Sequence, residues 1–241
     1  PASVVGTARE PPAQATRSWE CLPWLPELAA PRKATWHTIR DQQEECVGKQ
    51  PVLIVGVTGH RFLAEVETVS AGIDRALVRI EAAFAPQQWT VLSALADGAD
   101  QLVTRRVLAR HPARLLVLLP MPLDEYLRDI RSPGRFEDLL AQAAGTIALP
   151  RAPTRDQAYT ALGRYIAEHC DLLLAVWDGR PAQGTGGTSE IVACVRAAGK
   201  PLAWVHAGNR VPGTEEPTTL GTEQGQVTVE RFSVARTSGQ G

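Results

Sequence analysis

Aromatic residues make up only 5% of this sequence, methionine occurs once, and its four cysteines stand far apart. Cys21, Cys46, Cys170 and Cys194 form no C-x-x-C pair, and no histidine lies at ligand spacing from any of them, so no metal is expected. Cys170 and Cys194 sit beside apolar segments and read as reduced core residues. The formal net charge is −1, and no basic stripe carries interleaved aromatics. Both absences argue against nucleic acid as a partner, and the charge gives no pull towards an anionic membrane surface. No run approaches the ~18 apolar residues of a membrane span, and the N-terminal residues lack the basic-then-apolar order of a signal peptide. Cytoplasmic localisation is the resulting expectation. The chain opens at Pro1 with its one methionine at Met121, so the native start stays open.

What is present is an ordinary globular composition, 44% hydrophobic and 21% charged, in 241 residues. One α/β domain with loose ends fits that length. Residues 1–50 are rich in Pro, Gln and Glu and read as an extended or weakly ordered arm. Trp19, Trp24 and Trp36 suggest that the arm packs on the domain or a partner. Residues 208–241 read as a polar tail in which "QVTVERFSV" alternates well enough for one strand.

Residues 51–207 alternate regularly. Apolar runs "PVLIVGVT", "TVLSAL", "ARLLVLLP", "TIALP", "DLLLAVW" and "PLAWVH" read as strands. Helices are expected over 68–84, 97–111, one or two within 123–144 broken near "SPGR", then 155–169 and 187–198. Strands apolar throughout and separated by helices indicate a mainly parallel sheet covered on both faces. The fold class is a doubly wound, Rossmann-like α/β domain.

Such folds place ligands beyond the carboxyl ends of their strands. The first strand ends in "GVTGHRF". There Gly56 and Gly59 keep the turn low, Thr58 offers a hydroxyl, and His60 and Arg61 offer donors to an anion. The plainer alternative is a tight turn with an exposed His and Arg. The glycine spacing is not the dinucleotide fingerprint G-x-G-x-x-G. The second strand leads into "ALADGADQL", where Asp97, beside Gly98, either caps the next helix or holds a ribose hydroxyl or base edge. Asp100, in the first helical turn, either complements the helix dipole or takes that ligand role in place of Asp97.

The densest signal is "DGRPAQGTGGTSE" after the fifth strand: Asp178, Gly179, Gly184, Thr185, Gly186, Gly187, Thr188 and Glu190. Backbone N–H groups at a helix N-terminus, bare of side chains, form an anion site, and the two threonines add hydroxyls. A glycine hinge is the plainer alternative. No Lys-Ser/Thr pair follows the glycines, so this is not a P-loop. Glu190 either complements the helix dipole, or contacts a ribose or acts as a catalytic acid or base.

Together, "GVTGHR", "SALADGAD", "LPMPLDEY", "CDLLLAVWDG" and "GTGGTSEIV" resemble the SLOG superfamily over about residues 51–206. These Rossmann-like proteins are related to the LOG cytokinin-activating enzymes, the DNA-processing protein DprA and the molybdenum-cofactor carriers. The resemblance implies a nucleotide or nucleotide-derived ligand, with no further cofactor required. It also implies a sensing role of the kind such domains have in bacterial defence and stress systems. The alternative it implies is LOG-like N-glycosidic hydrolysis of nucleoside 5′-monophosphates through P-G-G-x-G-T-x-x-E. Aligning its glycine–threonine pair with Gly187 and Thr188 puts the catalytic Glu of that motif at Ile191, with Glu190 one residue early. Arg128, Arg131 and Arg164 are candidates for the family's catalytic arginine. A homo-oligomer is compatible with the sequence.

Overall fold

The computed structural model describes residues 52–181 and 187–232. The arm, Cys21 and Cys46, the turn residues Gly184, Thr185 and Gly186, and the chain beyond 232 lie outside the described residues.

Strand β1 (Val52–Gly59) is buried along nearly its whole length, as its uninterrupted apolar run requires of a central strand. Helix α1 (Val66–Phe84) leads to β2 (Gln88–Ser93), α2 (Ala99–Arg110) and β3 (Ala113–Leu119). A four-residue helix, α3 (Leu123–Tyr126), and a 3₁₀ turn at Leu127–Asp129 follow. Next comes α4 (Pro133–Leu140), which begins on a proline in its first turn, where the ring's missing N–H has no helical partner to lose. The order continues with β4 (Gly145–Ala148), α5 (Arg155–His169), β5 (Leu172–Trp177), α6 (Thr188–Ala197), β6 (Leu202–His206) and β7 (Val227–Glu230).

The strands form one sheet in the order β4-β3-β2-β1-β5-β6-β7. Every neighbouring pair is parallel except β6 and β7. The expected doubly wound, mainly parallel architecture is therefore present. Helices α1 and α2 pack together on one face, and α5 and α6 pack together on the other. The strand order reverses between β1 and β5, which makes that pair the topological switch point.

One cysteine differs from the sequence reading. Cys194 is exposed, not a core residue. α6 buries Ile191, Val192 and Val195, and the 3.6-residue period turns position 194 away from the sheet. Cys170 is buried as expected.

The segment after β6 packs against α1 and pairs antiparallel with β6 as the edge strand β7. Arg75 and Arg79 of α1 donate to the carbonyls of Gly225 and Val227. Buried Gln224 accepts from the N–H groups of Gly208 and Leu220 and donates to the Ala64 carbonyl. Polar composition thus accompanies a segment fixed by hydrogen bonds rather than by apolar burial.

Candidate functional site

The loops after β1, β2 and β5 converge at the switch point around a cavity of about 720 Å³. Its walls include Thr58, Gly59, His60, Arg61, Asp100, Tyr126, Tyr159, Asp178 and the start of α6 at Gly187, Thr188 and Ser189. Leu162, Ile166, Trp177 and Ile191 supply an apolar side, and residues 209–213 with Thr218 supply the far wall. That size suits a nucleotide-sized molecule.

The glycines are placed by contacts within the chain. A Cβ on Gly56 would lie 2.7 Å from Ile166 Cγ2, so Gly56 lets α5 sit close on β1. A Cβ on Gly59 would lie 2.4 Å from both Ala99 Cβ and the Val176 carbonyl oxygen. Gly98 and Gly179 have φ of +79° and +76°, which side chains rarely adopt. A Cβ on Gly98 would also strike the His60 and Arg61 carbonyls, each at 2.5 Å, and one on Gly179 would strike the Trp204 ring. Close approach of backbone is therefore real at these four positions, and the approaching atoms are the protein's own.

Asp97 does not cap α2. Gly98 holds the cap position, and the Asp97 carboxylate instead accepts from the backbone N–H groups of Arg131 and Ser132 at 2.8 and 3.1 Å. Its two oxygens fasten the loop before α4. Asp100 is the acid of this turn that reaches the cavity wall. The turn is tightly determined: Leu95 has φ +56°, its N–H is bound by Ser93 Oγ, and its carbonyl by Gln101 Nε2. Backbone strain held by both of its polar groups is characteristic of sites where geometry matters.

His60 and Asp178 meet across the switch point. The Asp178 N–H donates to His60 Nε2 at 3.0 Å, while Asp178 Oδ1 accepts from Arg180 N–H. Burial, opposed by the nearby Asp178 carboxylate, lowers the His60 pKa below 6.5. The ring is therefore neutral at pH 7, and its 3.2 Å approach to Asp178 Oδ1 is not an ion pair. Nε2 is an acceptor, so the anion-donor role expected of His60 is left to Nδ1.

Arg61 lies beside them. Its Nη1 donates to the Asp129 carbonyl at 3.4 Å, and its guanidinium sits 5.3 Å from the Tyr159 ring centroid. Burial opposes its charge, but Tyr159, Tyr126 and Asp100 outweigh that and raise its pKa. Tyr159 Oη donates to Asp129 Oδ2 at 2.5 Å, and Arg155 pairs with the other Asp129 oxygen at 3.3 Å. Among the described residues no carboxylate lies within ion-pair distance of Arg61.

Burial pushes the Asp100 carboxyl up to about 7, against the opposing pull of a backbone hydrogen bond at Ala96, of Arg61 and of Ser93. The buried Tyr126 phenol is likewise raised, by burial first and then by Asp100. Its hydroxyl donates to the Ala94 carbonyl.

Ile191, where the hydrolase register would put an acid, is an apolar part of the wall packed towards Gly163. Glu190 lies in the first turn of α6 and is not among the cavity-lining residues. Arg131 pairs with Glu215, and the Arg131 and Arg210 guanidiniums lie 5.0 and 4.9 Å from the Phe62 ring centroid.

Fold and cleft define a Rossmann-like α/β protein with a ligand-sized cavity at the carboxyl edge of its sheet. The chain matches no protein-family model and no curated protein. Among solved structures it is similar to the molybdenum cofactor carrier protein of Chlamydomonas reinhardtii, with 18% identity and a TM-score of 0.37. That similarity covers 64% of this chain and 75% of the other. Among the described residues no helix is long and apolar enough to cross a membrane.

Proposed function

We propose that the protein binds a nucleotide or nucleotide-derived ligand in the switch-point cavity and acts as a binding or sensing domain of the SLOG type. One observation carries this reading: Arg61 brings a partly buried guanidinium to the cavity wall without a carboxylate partner among the described residues. A cation removed from water favours an anion beside it, and Arg is the side chain best suited to hold a phosphate. The start of α6 borders the same space, and N–H groups at a helix N-terminus favour the same charge. The apolar side formed by Leu162, Ile166 and Ile191 suits the flat face of a base.

Incubation with a nucleotide library, followed by mass spectrometry of bound ligand and released base, tests it. The expected result is an intact bound nucleotide. Arg61→Ala should weaken a phosphorylated ligand by about 1.5–3 kcal/mol and the matching nucleoside much less. Equal losses would remove Arg61 from the phosphate site. Free base from the wild type, lost in Glu190→Gln, would replace the sensor with the hydrolase.

A further inference from the structure

Arg61 and Asp100 come to the same part of the cavity from different loops. The backbone of residues 60 and 61 lies against Gly98, and Ala99 N–H donates to the His60 carbonyl at 3.0 Å. This fixes the start of α2, and with it Asp100, beside the Arg61 loop. Asp100 is only 6% exposed, yet it borders the cavity. Ser93 Oγ approaches its Oδ2 at 3.5 Å, and no cationic side chain is within ion-pair distance of it among the described residues.

An oxyanion entering to meet Arg61 therefore finds a buried carboxyl group close by. Two adjacent anions in a poorly hydrated site repel strongly, whereas a neutral carboxylic acid donates an O–H to the incoming oxygen. Resting on the anion-binding reading above, we propose that Arg61 and Asp100 form one oxyanion subsite that takes up its anion together with a proton on Asp100. The ligand class is a phosphate, sulfate or similar tetrahedral oxyanion group. The guanidinium supplies the charge and the carboxylic acid supplies a donor in place of a repelling carboxylate.

The groups around Asp100 leave it as the titrating member. Tyr126 and Tyr159 both have raised pKa values and stay protonated at neutral pH. Asp97 is bound by two backbone N–H groups, and Asp129 by Tyr159 and Arg155. His60 titrates below 6.5, and its Nε2 is occupied by the Asp178 N–H. Asp100 changes charge near pH 7. Anion affinity should then be nearly constant below that pH and fall about tenfold per pH unit above it.

Sulfate is the probe, because its charge is constant from pH 5 to 9. Calorimetry on the full chain at pH 6 and pH 8, each in two buffers of different ionisation heat, gives affinity and proton uptake together. The expected result is about tenfold weaker binding at pH 8, with close to one proton taken up per sulfate. Asp100→Asn should bind at pH 8 nearly as well as the wild type does at pH 6, and Arg61→Met should bind at neither. Equal wild-type affinities, absent proton uptake or absent sulfate binding would overturn the proposal. So would a tenfold drop that persists in Asp100→Asn. The wild-type proton count needs no variant to fold. AMP is run in parallel: binding of AMP without sulfate binding sinks the subsite and spares the nucleotide reading, and failure of both sinks both.

Discussion

The imidazole of His60 accepts a hydrogen bond from the backbone N–H of Asp178, 118 residues further along the chain. The bond ties the loop after β1 to the loop after β5, where the two strands run side by side with Gly59 opposite Val176. It needs a neutral ring. In the unfolded chain the same histidine gains a proton near pH 6.5, whereas burial holds its folded pKa lower. The stability linked to His60 is therefore fully present above about pH 6.5 and is lost as pH falls through the folded value. Urea unfolding from pH 5 to 8 should show His60→Gln losing less stability on acidification than the wild type. Parallel curves would remove His60 as a titrating lock.

Asp100 has the opposite sign. Its folded pKa is raised from 3.8 to about 7, so its contribution is fully present below the unfolded value and is lost as pH rises through 7. The displacement corresponds to an effect on the order of 4 kcal/mol. Asp100→Asn carries no such charge. Its stability relative to the wild type should rise by several kcal/mol between pH 4 and pH 8.5 in chemical denaturation. A constant difference across that range would contradict the burial argument.

The glycines give a paired test. Gly59→Ala forces a methyl group into Ala99 and the Val176 carbonyl, which cannot swing aside as a flexible side chain would. It should cost about 1–3 kcal/mol or more. Gly134, exposed in the first turn of α4, has nothing within 4 Å of the added carbon. Gly134→Ala should raise stability by about 0.5–1 kcal/mol, since alanine loses less backbone freedom in a helix. Thermal unfolding of the two variants should move in opposite directions.

Gln224→Leu removes an amide that serves two backbone donors and one acceptor at once. The loss should be roughly 1–3 kcal/mol. Hydrogen exchange should accelerate first at residues 208–220, which carry the far wall of the cavity. Uniform acceleration over the whole sheet would assign Gln224 to global stability instead.

Sheet and helices were legible because apolar runs and helical periodicity are local signals. The helix over residues 155–169 falls where its pattern places it, with Thr154 accepting from Gln157 N–H at its start. Site chemistry was less legible because the partners of its groups are distant in sequence. Asp97 looks like a helix cap beside Ala99, but its acceptors serve backbone donors 34 and 35 residues away. Gly56 and Gly59 announce that something comes close without saying whether it is a ligand or the chain itself; it is α5 and α2. Asp100 carries no motif that separates it from Asp97. Its raised pKa arises from burial, with Arg61 opposing it, and that environment follows from the tertiary meeting of two loops.

The strand order has a further consequence for how the molecule assembles. Strands β1 to β4 are laid down side by side in chain order, so half of the sheet can zip together from near neighbours. The other edge of β1 stays unpaired until β5 arrives, after a long loop has closed. Until then a buried central strand has an edge open to any competing strand, and the cavity lacks Asp178. Docking of β5 covers that edge and brings Asp178 to the cavity wall, so one pairing step serves both the sheet and the cleft.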